Sequence, residues 1–127
     1  MLGKNKIIAF VPTKDSKVAR EFYEGILGLA FVSDDPFALV LNAGGIMVRI
    51  AKTEDFKPAP FTILGWEVSN INEVVTALTE KGVRFSRYHF LEQDELGIWS
   101  APGGAKVAWF TDSDGNLLSL TQVIMSR

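Results

Sequence analysis

Apolar and polar residues alternate along this chain with two different periods, and the switches between them mark out its elements. Residues 6–11 are a short apolar run closed by Pro12, which predicts a strand with Ile8 and Phe10 on one face and Ile7, Ala9 and Val11 on the other. Val18, Ala19, Phe22 and Ile26 then recur at near-helical spacing behind Asp15 and Ser16, either of which can cap a helix. Gly28 suits the left-handed position just past its last turn, so the pattern predicts a helix over 16–27. Strands follow at 29–32, 37–41 and 46–51, the last two joined by an Asn42-Ala43-Gly44-Gly45 turn. The sum is a β-α-β-β-β unit.

Residues 52–60 hold two prolines and no periodicity, which reads as a linker. The same order then begins again. A strand over 61–68 leads to Asn70, which with Glu73 resembles a capping box. Ile71, Val74, Val75 and Leu78 form an i, i+3, i+4, i+7 stripe ending at Gly82, a helix over 71–81. Strands are expected at 83–90, 107–111 and 117–121, with a tight polar turn at 112–116. Laid over one another, the halves set Asp15 on Asn70, Phe31 on Phe85 and the 42–45 turn on the 112–116 turn. The second copy carries an insertion of about fifteen residues near 91–104. In the last strand Leu118 and Leu120 face the core, which leaves Ser119 in the middle of the opposite face. The expectation is an α+β protein, one domain over 1–127 made of tandem units at about 5–51 and 61–122.

Composition narrows the functions open to such a chain. Its 127 residues suffice for one well-packed domain, and 47% hydrophobic with 22% charged residues is globular. A net charge of −2 without a Lys/Arg cluster gives no case for nucleic acid. No apolar stretch reaches membrane-spanning length, and the first residues lack a signal-peptide core, so a soluble cytoplasmic protein is the expectation. Without cysteine there is no thiolate nucleophile or thiolate metal site, and His89 is the only histidine.

Two motifs suggest a family. Phe22-Tyr23-x-x-x-Leu27-Gly28-Leu29 and Phe110-x-Asp112-x-Asp114-Gly115-Asn116-x-x-x-Leu120 resemble signatures of the vicinal oxygen chelate superfamily, the glyoxalase, bleomycin-resistance and extradiol dioxygenase group. Ser113 stands where a proline is usual. The resemblance implies two tandem β-α-β-β-β units forming a concave sheet groove with helices outside, and a homodimer. It also implies metal ligands on the groove face of the first and fourth strand of each unit. Those places hold Ile8, Arg49, Ile63 and Ser119. Isoleucine has no donor atom, the guanidinium of Arg49 is a fixed cation, and a neutral serine hydroxyl is a poor sole ligand. The adjacent residues 7, 9, 48, 50, 118 and 120 are no better. The expectation is no metal and no cofactor.

Arg49 is the sharpest positive feature, placed in the groove among Ile8, Phe10, Met47, Ile63 and Leu117. A guanidinium there needs Glu67, the anionic group of a ligand, or a path to solvent along its own stem. Trp99 and Tyr88 sit on or beside the insertion, where they cover the groove; Gly97 and Pro102-Gly103-Gly104 make Trp99's surroundings a mobile loop. Trp66 and Trp109 read as core, and His89 as surface or structural. Asp112, Asp114 and Asn116 imitate the start of a calcium loop, but Gly115 is misplaced for one and Val123 stands where the bidentate acid belongs. Glu92, Asp94 and Glu95 form a solvated acidic tip, with attraction of a cationic drug the lesser reading. The function that follows is metal-free binding of a small molecule, as in antibiotic sequestration. The ligand-binding groove is Ile8, Phe10, Met47, Arg49, Ile63, Glu67, Trp99, Leu117 and Ser119. The alternatives are a glyoxalase- or dioxygenase-type enzyme with an atypical site and a regulatory or interaction domain. No catalytic residue is assigned.

Overall fold

The structure, a computed structural model, describes residues 1–124. It contains two four-stranded mixed sheets and few helices, an α+β fold. The chain divides into two compact units, Met1–Pro58 with Asp112–Asp114, and Ala59–Thr111 with Gly115–Arg127.

In the first unit β1 (Ile8–Thr13) pairs in parallel with β4 (Ile46–Lys52); β3 (Ala38–Ala43) and β2 (Ala30–Asp34) continue the sheet antiparallel, in the order β1-β4-β3-β2. β1 runs on through Pro12, past the strand end read from the sequence. It is an edge strand, where a residue lacking an N–H is tolerated. Helix α1 (Ser16–Arg20) starts at Asp15, whose carboxylate accepts from the Lys17 and Val18 amides. It widens into a π-helical turn, Glu21–Ile26, closed by Leu27 N–H to Phe22 O. Gly28 at φ 83° and the Leu29 N–H bond back to Tyr23 O then end it, as a Schellman turn does. The helix covers the face that carries Val11, Leu39, Leu41, Val48 and Ile50, all nearly inaccessible. Burial of those side chains is what holds helix to sheet.

The second unit repeats the order. β5 (Thr62–Glu67) pairs in parallel with β8 (Leu117–Gln122), followed by β7 (Lys106–Thr111) and β6 (Trp99–Ser100), in the order β5-β8-β7-β6. Helix α2 (Ile71–Glu80) starts at Asn70, whose side chain accepts from Glu73 N–H; Ile71, Val75 and Leu78 are its buried stripe. The caps Asp15 and Asn70 share one backbone conformation, φ −144° and ψ 98° against φ −137° and ψ 93°. Phe31 faces Leu41 across its sheet as Phe85 faces Phe110, matching the two halves residue for residue.

Here the expected strand over 83–90 is corrected. Only Phe85 and Ser86 reach β7, through the Phe85–Phe110 bridge and a 2.7 Å bond from Ser86 N–H to Trp109 O. The far end of β7 is met instead by Trp99 and Ser100, opposite Val107 and Lys106. The insertion has thus cut the edge strand into two pieces. Gln93 joins them, its Oε1 accepting from Tyr88 N–H at 2.7 Å and its Nε2 donating to Ser86 O and Gly97 O at 2.9 Å each. Trp99 consequently sits in a paired strand rather than on a mobile loop.

Candidate functional site

Each sheet is covered by its helix on one face only, so the site-bearing side chains are those on the other. In the first unit the register sets Ile8 beside Met47 and Phe10 beside Arg49 on parallel strands, with Val40 on the far side of Arg49. Ile8, Phe10, Met47 and Arg49 therefore share one face, opposite Val11, Val48 and Ile50. Phe10 is 63% exposed and Ile8 46%. Arg49 is half-buried, and among the described residues no hydrogen bond or ion pair reaches its guanidinium; ion pairs such as Arg20–Glu24 and Lys52–Asp34 form elsewhere. Its charge is felt at Asp35, whose carboxyl is held below the usual range chiefly by the Phe37 and Ala38 amides, and then by Arg49 and Lys52.

In the second unit Ser119 occupies the register position that Arg49 holds in the first. It lies between Gly65 on β5 and Trp109 on β7, with Leu118 and Leu120 turned to the core. A Cβ on Gly65 would meet Ser119 Oγ at 2.7 Å, so glycine is what lets the serine fit there. Glu67, exposed, pairs with Thr121 and lies on the same face as Gly65. Leu117 is opposite Thr111, and Ile63 falls at a bulge between Thr62 and Leu64 that shifts the register of β5. Trp99 is on the Ser119 face, its ring 6.0 Å from Trp109, which Tyr88 meets edge-on at 5.5 Å. Reading Trp109 as core thus needs correction. The core aromatic of β7 is Phe110, fully buried against Trp66 and Phe85. Trp109 is its alternate and faces with Ser119. Adjacent aromatics hide which one points inward, but the pairing of 109 with 119 reveals it.

The metal positions implied by the resemblance do not make a metal centre. Ile8 and Arg49 in one unit and Ile63 and Ser119 in the other offer a single neutral oxygen. Among the described residues no three His, Cys, Asp or Glu side chains group as a metal site.

The aspartates of the second motif do structural work in the first unit. Asp112 Oδ2 accepts from Tyr23 Oη at 2.6 Å, and Asp112 Oδ1 accepts from Asp114 N–H. Asp114 accepts from Thr13 Oγ1 at 2.5 Å and from Lys14 N–H at 2.9 Å. Tyr23 is 1% exposed and Asp112 7%. Burial, and next the Asp112 carboxylate, push the Tyr23 hydroxyl far above its ordinary pKa. The two motifs are partners in one hydrogen-bond network, which accounts for their appearing together.

No protein-family model matches the sequence, and no curated protein matches it. Solved structures do match. A bleomycin resistance determinant encoded on transposon Tn5 superposes with a TM-score of 0.76 at 20% identity, covering 96% of this chain and 100% of its own. TnmS3, an antibiotic binding protein from Streptomyces sp. CB03234, gives 0.75 at 21% identity over 98% and 99%. A member of the glyoxalase/bleomycin resistance protein/dioxygenase superfamily from Sphaerobacter thermophilus DSM 20745 gives 0.73 at 25% identity over 97% and 100%. With its two four-stranded sheets, its two helix caps and its Tyr23–Asp112 network, the chain has the fold of the glyoxalase/bleomycin resistance/dioxygenase superfamily.

Proposed function

We propose that the protein binds a small organic molecule without a metal, using the helix-free face of the first sheet with Arg49 as its anchor. The observation that carries this reading is a guanidinium with no protein partner among the described residues, flanked by the exposed apolar side chains of Phe10 and Met47. A guanidinium takes a carboxylate through two parallel hydrogen bonds, whereas lysine offers a point charge. The apolar body of the ligand lies against Ile8, Phe10 and Met47. The other residues expected in the groove, Ile63, Glu67, Leu117 and Ser119, lie in the second unit. An antibiotic binding protein and a bleomycin resistance determinant among the structures of like fold support the class of function. The working form is a homodimer, supported by the exposed apolar side chains of Val32 and Phe37, which the ligand reading does not use.

Calorimetric titration with 1-naphthylacetate, an aromatic carboxylate, tests the anchor. Arg49→Ala is expected to weaken binding by about 1.5–3 kcal/mol, the scale of a hydrogen bond to a charged group, with Arg49→Lys recovering part of the loss. If Arg49→Ala leaves both affinity and melting temperature unchanged, the side chain serves neither ligand nor fold and the reading is wrong.

A further inference from the structure

The insertion that interrupts the second sheet builds a cavity of its own. It measures about 630 Å³, inside the range of roughly 300–1,000 Å³ typical of small-molecule sites. Phe90, Ile98, Trp99 and Pro102 supply its apolar walls, and Glu92 and Asp94 its charges. Among the described residues no basic side chain lines it.

The polar groups at this cavity are in unequal states. Gln93 is committed at both ends of its amide to Tyr88, Ser86 and Gly97. Asp94 Oδ1 accepts from Leu96 N–H and Ile98 N–H at 2.9 Å each, which fixes its orientation while leaving its charge. Glu92 makes no hydrogen bond or ion pair among the described residues. Trp99 is held by its pairing with Val107 and by its contact with Trp109, and Phe90 rests on Tyr88 at 5.5 Å. The walls are therefore organised and one carboxylate is uncommitted.

We infer that this cavity is a binding site for an organic cation, an ammonium or guanidinium carried on an aromatic or aliphatic body. An anion would meet two carboxylates and, among the described residues, no counter-charge. A neutral apolar molecule would leave those carboxylates unanswered. A cation gains the Coulomb attraction of Glu92 and Asp94 and the π-faces of Phe90 and Trp99, while its body takes up the apolar wall. The site lies wholly in the second unit and does not rest on the Arg49 reading.

The test uses (1-naphthyl)methylammonium at pH 7 and low ionic strength, followed by calorimetry and by the Trp99 indole N–H resonance. Binding is expected to shift that resonance, to weaken by about threefold or more in Glu92→Gln, and to weaken further in 0.5 M salt. Glu92 is exposed and unpartnered, so the variant keeps the fold, which an unchanged melting temperature verifies. Trp99→Leu is expected to weaken the ammonium by about threefold or more, while Arg49→Ala leaves it untouched. Absence of binding at millimolar probe, affinity unaltered by Glu92→Gln, or a Trp99 shift of equal size and affinity with 1-naphthylacetate would each overturn the inference. Loss of naphthylacetate binding in Arg49→Ala speaks only to the first-unit anchor, so the two readings fail separately.

Discussion

Replacing Tyr23 by phenylalanine removes one oxygen from the interior and nothing else. The hydroxyl donates to Asp112 Oδ2 at 2.6 Å, between residues 1% and 7% exposed. A buried hydrogen bond to a charged group contributes about 1.5–3 kcal/mol, so Tyr23→Phe should lower unfolding free energy at pH 7 by about 2 kcal/mol. Urea titration at fixed pH reads this as a shift of midpoint at constant slope. The alkaline side gives a sharper test, because the folded pKa of Tyr23 is raised. Below pH 10 the phenol is protonated in both states and its contribution is fully present. Above pH 10 the unfolded chain releases that proton and the folded chain keeps it, so stability falls as pH rises. With an unfolded pKa of about 10, the wild-type protein at pH 11 should have lost about 1.4 kcal/mol more than Tyr23→Phe, shrinking their difference from about 2 to about 0.6 kcal/mol. A difference that stays constant from pH 7 to pH 11 would mean the hydroxyl titrates normally, and the burial argument would collapse. Asp112→Asn combined with Tyr23→Phe should cost less than the sum of the single changes, since both remove one bond.

Two further changes probe the second unit. Gly65→Ala drives a methyl to 2.7 Å from Ser119 Oγ and should destabilise by about 1–3 kcal/mol; adding Ser119→Ala should restore part of this, and thermal melts of the three variants that show no restoration would place the clash elsewhere. Gln93→Ala removes three bonds across the divided edge strand, with an expected loss of about 1–3 kcal/mol and faster hydrogen exchange at the Tyr88 amide, and unchanged exchange there would show that the pieces hold together without it.

Alternation made much of this legible. Period alone puts Ile8 and Phe10 on one face, and Leu118 and Leu120 on the other side from Ser119, because a strand leaves a side chain only two directions; Arg49 joins Ile8 and Phe10 only through the ligand positions that the resemblance implies. The caps and Gly28 were readable for a similar reason, since few residues satisfy a helix end. The divided edge was not. Residues 83–90 have the composition of a strand, but a strand needs a neighbour along its length, and the insertion gives half of that neighbour to Trp99 and Ser100. Nor does any period connect Tyr23 with Asp112, which are 89 positions apart. Their bond is a tertiary fact, visible in the sequence only as two motifs that occur together.

That bond also bears on how the chain comes to be folded. The first unit is not a continuous piece of chain, because Asp112–Asp114 belongs to it along with Met1–Pro58. A ribosome that has released the first 58 residues has therefore delivered a helix and four strands whose central phenol has no acceptor. Tyr23 must then stay hydrated or be buried at a loss until the turn emerges. Closing that gap joins residues more than eighty positions apart, the sort of long-range contact that slows folding. A fragment ending at Pro58 should accordingly be a loose intermediate rather than a small domain, and a peptide bearing the Asp112–Asp114 turn is the piece it lacks.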